Sequence, residues 1–68
     1  MSFAPHQQRV ANEFDELKIK TEALDKFISS ASFNEIVDDT EERTRLRHQS
    51  VVMEQYLEIL QERIENFK

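Results

Sequence analysis

Residues 5–10 read PHQQRV. Pro5 suits the first position of a helix, where its missing N–H is no loss. His6, Gln7 and Arg9 then bring a planar ring, an amide and a guanidinium into the first turns. Those side chains are either a seat for a small anion or the solvated polar residues of an ordinary helix start. Lys20 and Arg63 matter to the same question, because helical periodicity puts them on the flank that carries Arg9.

Other chemistry is hard to find. No nucleophile–base arrangement, glycine-rich phosphate loop or HExxH pattern is present. Ser29, Ser30 and Ser32 sit near no histidine in the sequence and read as caps and turn residues. There is no cysteine, so neither a disulfide nor a thiolate metal site can form. His6 and His48 have no metal-ligand spacing. Glu54, Glu58, Glu62 and Glu65 read as a solvated face with salt-bridge spacing. A di-iron bundle would need inward Glu-x-x-His pairs, and there are none. The reading is a protein without catalytic residues, metal ligands or cofactor.

Charge narrows the partners. The net value is −5 over 68 residues, which disfavours a long nucleic acid because that needs a broad basic surface. The distribution is uneven. Residues 21–42 set Lys26 against seven carboxylates, and Arg43, Arg45 and Arg47 follow at once. Those arginines lie near a helix N-terminus, against the dipole. Local pairing with Asp38, Asp39, Glu41 and Glu42 is one reading; an anion site shared with Lys26 is the other. No apolar run is long enough for a membrane span and no signal peptide is visible, so a cytosolic protein is expected.

With no glycine, one proline and 34% charged residues, the composition suits long helices. Val10, Phe14, Leu17, Thr21, Leu24 and Ile28 step by four and three, which is heptad spacing. This predicts a first helix over about 5–29. Leu46, Met53, Leu60 and Phe67 recur every seven residues, with Leu57 and Ile64 between them, predicting a second helix over about 40–67. The link offers capping-box spacing at Ser32/Glu35 and again at Asp39/Glu42. A short helical turn is therefore expected over about 33–37, with Phe33 and Ile36 covering the hairpin end. The expected fold is all-α: one domain, residues 1–68, folded as an antiparallel two-helix hairpin.

A lone hairpin leaves apolar surface uncovered. Ile19, Ala23 and Phe27 form a second set beside the first seam, and Val52, Tyr56 and Ile59 do so on the second helix. Either the linking turn folds over them or they meet other copies of the chain. The turn is too short for a patch this long, so a homo-oligomer is expected. The same flank carries Arg9, Glu16 and Lys20 on one helix and Arg45 and Arg63 on the other. Charges at such a junction need partners: neighbouring carboxylates, or an anionic ligand.

The run PHQQRV, then Glu13, Leu17, Lys20, Leu24, Phe27 and Ile28, with RLRHQ…M…Y…L…ERI in the second half, resembles the small helical-hairpin proteins of tailed phages. That group includes the anti-CBASS cyclic-nucleotide sponges, and a related hairpin domain occurs in one class of anti-Thoeris sponges. The resemblance spans about residues 5–67 and rests on joint spacing rather than on one specific motif.

The resemblance implies a compact hexamer that binds cyclic dinucleotides and trinucleotides in the host cytoplasm without cleaving them, so that CBASS effectors lose their signal. It implies ligand contacts at His6, Gln7, Arg9, Lys20 and Arg63; Lys26 joins the candidate ligand residues from the anion-site reading of the charge run. Relatives often carry a stacking tyrosine near the chain start. This chain has no tyrosine before Tyr56, and His6 is the nearest planar substitute. The competing expectation is a structural or protein-binding hairpin with no small-molecule ligand.

Overall fold

The computed structural model describes residues 3–68. Three helices follow in order: α1 (Pro5–Ile28), α2 (Phe33–Ile36) and α3 (Thr40–Glu65). The long helices α1 and α3 pack against each other. Three cross-helix hydrogen bonds set their direction: Gln7 to Lys68, Glu13 to Tyr56 and Asp25 to Ser50. As the number on one helix rises, that on the other falls, so the pair is antiparallel. The hairpin is a rod of 47 × 15 × 14 Å.

The heptad spacing fixes which face is covered. Val10, Thr21 and Leu60 are buried, and Phe14, Leu17, Leu24, Ile28, Leu46, Met53, Leu57, Ile64 and Phe67 are half-buried. Every seam position read from periodicity is thus turned away from full exposure. Thr21 breaks the apolar pattern at no cost, because its hydroxyl donates to the Leu17 carbonyl at 2.8 Å. A hydroxyl satisfied within its own helix can be buried.

The ends differ from expectation in instructive ways. Pro5 does open α1, after Ala4 with φ −60° and ψ 156°. Alanine has no capping oxygen, and Gln7 compensates from the other side, its Oε1 accepting from the Ala4 N–H at 3.0 Å. Asp39 caps α3 by accepting from the Glu41 N–H at 2.9 Å, which favours the helix start. Glu42 does not complete a box; it takes Arg45 instead, at 2.8 Å. Ser32 makes no side-chain cap. Its backbone is already helical, at φ −92° and ψ −1°, whereas a capping side chain needs an extended one.

α3 ends at Glu65, two residues before Phe67. Asn66 stops it: its Nδ2 donates to the Glu62 carbonyl at 2.7 Å, satisfying one of the orphan acceptors at a helix end. Phe67, freed from the helix, meets Phe3 edge to face at 5.4 Å. At the other end Phe33 is buried under the hairpin tip, 2% exposed, edge to face with Phe27 at 5.2 Å. Ile36 does not help to cover that end. It is 66% exposed, because α2 is one turn long and can turn only one side inward.

Candidate functional site

α2 covers only Phe27 of the second apolar set. Ile19, Val51, Val52, Tyr56 and Ile59 stay exposed. Val52, Tyr56 and Ile59 share one flank of the rod. At 100° per residue, Arg9, Glu13, Glu16 and Lys20 lie on the matching side of α1. The Tyr56 hydroxyl donates to the Glu13 carboxylate across this flank. Glu13, Glu16, Leu17, Lys20 and Tyr56 surround one shallow depression there.

The cations distribute as follows. His6, Arg9, Lys20, Lys26 and Arg63 are exposed, and Gln7 is half-buried. The antiparallel register sets Arg63 opposite the first turns of α1, so His6, Arg9 and Arg63 belong to the open end of the hairpin. Lys20 is about 16 Å further along α1 from Arg9, and Lys26 about 25 Å, at 1.5 Å per residue. Within one copy Lys26 therefore does not join the others; it lies in the last turn of α1, where a cation suits the dipole.

Gln7 is already engaged. Besides accepting from Ala4, it donates to the Lys68 carbonyl at 3.3 Å, bracing Lys68 against the start of α1. One aromatic that spacing did not single out stands at the same end. Phe3, two residues before Pro5, keeps 44% of its surface exposed while leaning on Phe67. Its signal in the sequence was only an aromatic next to a helix start.

The three arginines after the link take three different partners. Arg45 holds Glu42 at 2.8 Å and lies 4.0 Å from Asp39 and Glu41. Arg43 donates to the Val37 carbonyl at 2.8 Å and to Thr40 Oγ1 at 3.0 Å. Arg47 sits over the Phe33 ring, 5.2 Å from its centroid, a cation–π contact. Local acidic pairing thus describes Arg45 alone, and the other two arginines fasten the tip.

The opposite flank is acidic. Phe14, Lys18, Thr21, Glu22, Glu54, Leu57, Glu58 and Gln61 line a groove of about 230 Å³, with Asp25 at its edge accepting from the Ser50 hydroxyl. A hydrogen bond shared with Asp25 pushes the Glu54 carboxyl above the ordinary glutamate range, followed by desolvation and by the charges of Asp25, Glu58 and Glu22. The folded state therefore holds that proton more tightly than the unfolded chain. Stability gained this way is full below the unfolded pKa and is lost as pH rises through the folded one. Urea unfolding should show stability rising as pH falls toward the ordinary glutamate range, and Glu54→Gln should flatten that rise.

Two general statements hold among the described residues. No group of three or more His, Asp or Glu side chains is placed to hold a metal ion. No helix is long and apolar enough to cross a membrane.

The fold and its flanks define a class: a small antiparallel helical hairpin with exposed cations on an uncovered apolar side. The chain belongs to the Sequestin family, whose model matches residues 4–66, and the family name denotes sequestration, a binding role. It is also 40% identical over 63 residues to an uncharacterized 7.5 kDa protein from the denB-rIIB intergenic region of Enterobacteria phage T4, covering 93% of this chain and 95% of that one. It is thus similar to a small phage protein along nearly its whole length. No solved structure matches it.

Proposed function

We propose that this protein is a phage-encoded sponge: a non-enzymatic homo-oligomer, a hexamer, that binds cyclic dinucleotides and trinucleotides in the host cytoplasm and withholds them from CBASS effectors. The observation that carries this reading is the pairing of exposed, unpaired cations with an uncovered apolar flank. All three salt bridges among the described residues belong to Arg45, which leaves Arg9, Lys20 and Arg63 without an acidic partner. A scaffold gains nothing from such cations at an apolar junction, whereas a phosphodiester ring supplies their counter-charge.

The roles follow from chemistry. Arg9 and Arg63 take phosphate oxygens at the open end, where helix N–H groups also favour an anion. Lys20 adds a third charge along the same flank. His6 stacks on a base, and the exposed Phe3 ring at the same end of the hairpin offers a second stacking surface; such contacts are worth about 1–3 kcal/mol per base. Gln7 holds Ala4 and Lys68 in place around the seat. Lys26 reaches a ligand at that seat only from a neighbouring copy. Several copies around one seat turn a few cations per chain into a strong local field despite the negative net charge.

The test of sequestration against turnover is recovery of the ligand. After long incubation with a cyclic dinucleotide and heat denaturation, chromatography should return the ring intact. Linear or mononucleotide products would contradict the reading and make the protein an enzyme.

A further inference from the structure

Arg9, Glu13, Glu16 and Lys20 follow one another along α1 at steps of four, three and four, so a carboxylate stands one turn, about 6 Å, from each cation. Arg9 with Glu13 and Glu16 with Lys20 both have the spacing at which ion pairs form on a helix surface. Neither pair closes, since all three salt bridges among the described residues belong to Arg45. For Arg9 the structure supplies a reason. The Glu13 carboxylate accepts from the Tyr56 hydroxyl of α3. The Arg9 Nε turns the other way, toward the Pro5 carbonyl at 3.4 Å. Tyr56 thus holds the acid one turn from Arg9, and Arg9 leans toward the open end.

We propose that Tyr56 is a positioning residue for the ligand seat: its hydroxyl keeps the Glu13 carboxylate off Arg9, so that the guanidinium stays free for a phosphate. This deepens the sponge reading and rests on it. It also accounts for an acid on the flank of an anion seat. A carboxylate free to swing along α1 would compete with the ligand for Arg9. One that accepts from a hydroxyl across the helix pair is already engaged.

The competition for Glu13 favours Tyr56. A hydrogen bond to an ionised carboxylate is of the strong class. An exposed ion pair one turn apart is weak, because two long side chains must be ordered to make it. The tyrosine ring has only two torsions to fix, and α3 holds it in place across the flank. A plain cross-helix staple would serve stability alone, and the loss of a staple would not depend on the charge of Glu13.

Tyr56→Phe removes the hydroxyl and keeps the ring. Circular dichroism and light scattering on the full chain should match the parent. Titration calorimetry with a cyclic dinucleotide should show affinity falling about threefold for each Arg9 that the ring engages, because an ion pair of that spacing must then be broken first. Two copies meeting one ring would make the loss about tenfold. It should vanish when Tyr56→Phe is made in a Glu13→Gln chain, where no charge is left to reach Arg9. It should persist in a Glu16→Gln chain, because the hydroxyl takes Glu13 and not Glu16. Without ligand, the Arg9 Nε–H resonance should exchange with water more slowly in Tyr56→Phe than in the parent, and at the parent rate once Glu13→Gln is added.

An affinity loss below about twofold, a loss that survives Glu13→Gln, a drop in assembled mass or an unchanged Arg9 resonance would overturn the proposal. A parent chain that binds no ring would sink the sponge reading instead, and the Arg9 resonance would still decide whether Tyr56 keeps Glu13 from Arg9.

Discussion

Lys20→Glu is expected to weaken cyclic-dinucleotide binding by about 1.5–3 kcal/mol, roughly 10- to 150-fold, while helicity by circular dichroism stays at the parent level. The magnitude is that of one hydrogen bond to a charged group. The side chain is exposed and has no acidic partner within the fold, so its removal breaks nothing inside the hairpin. Arg9→Glu should behave alike, since its guanidinium makes only a long contact with the Pro5 carbonyl, at 3.4 Å. Titration calorimetry of each variant at matched oligomer concentration reads the effect. Unchanged affinity in both would move the seat away from this flank.

Leu60→Ala is expected to lower the unfolding free energy by about 2–5 kcal/mol, the range for truncating a fully buried leucine. Leu60 is 0% exposed and lies on the α3 side of the seam near the open end. With so few fully buried side chains, the surroundings have little apolar material to collapse into the space. Urea unfolding at one fixed protein concentration is the measurement, because an assembling chain gains stability by mass action. A change of about 0.5 kcal/mol or less, the scale of a surface substitution, would mean that Leu60 is not part of the core.

The seam was legible in the sequence because it obeys one rule repeated over many turns. Each position from Val10 to Ile28 and from Leu46 to Ile64 needs only the helical period to be placed, and the structure covers all of them. The antiparallel direction follows from the short link between two long helices, and the exposure of Val52, Tyr56 and Ile59 follows from the period.

What escaped was set by single backbone angles or by tertiary partners. Ser32 has the spacing of a cap, but its helical φ and ψ deny its side chain the geometry. Asn66 and Phe67 depend on a side-chain hydrogen bond and on Phe3, 64 positions away in the chain. Arg43 sits beside Glu42 in sequence and Arg47 five residues after it, yet they choose a carbonyl and an aromatic ring.

The candidate site shows the same division. Periodicity put Arg9, Lys20 and Arg63 on one flank, but it carried no information on which of them are paired. The hydrogen bonds of Gln7 also lay beyond it, because one joins residues 61 positions apart. The separation of Lys26 from Arg9 could be read from helix rise alone. The acidic groove needed two helices in register, since Glu22 and Asp25 come from α1 and Glu54 and Glu58 from α3.

Titration calorimetry of the full chain against a panel of cyclic dinucleotides and trinucleotides tests the central claim most directly. Saturable heat from at least one ring, with a fixed number of rings per oligomer and dependence on Arg9 and Lys20, is the predicted result. No heat from any ring, at protein concentrations where the oligomer is fully formed, would contradict the account and leave a structural or protein-binding hairpin.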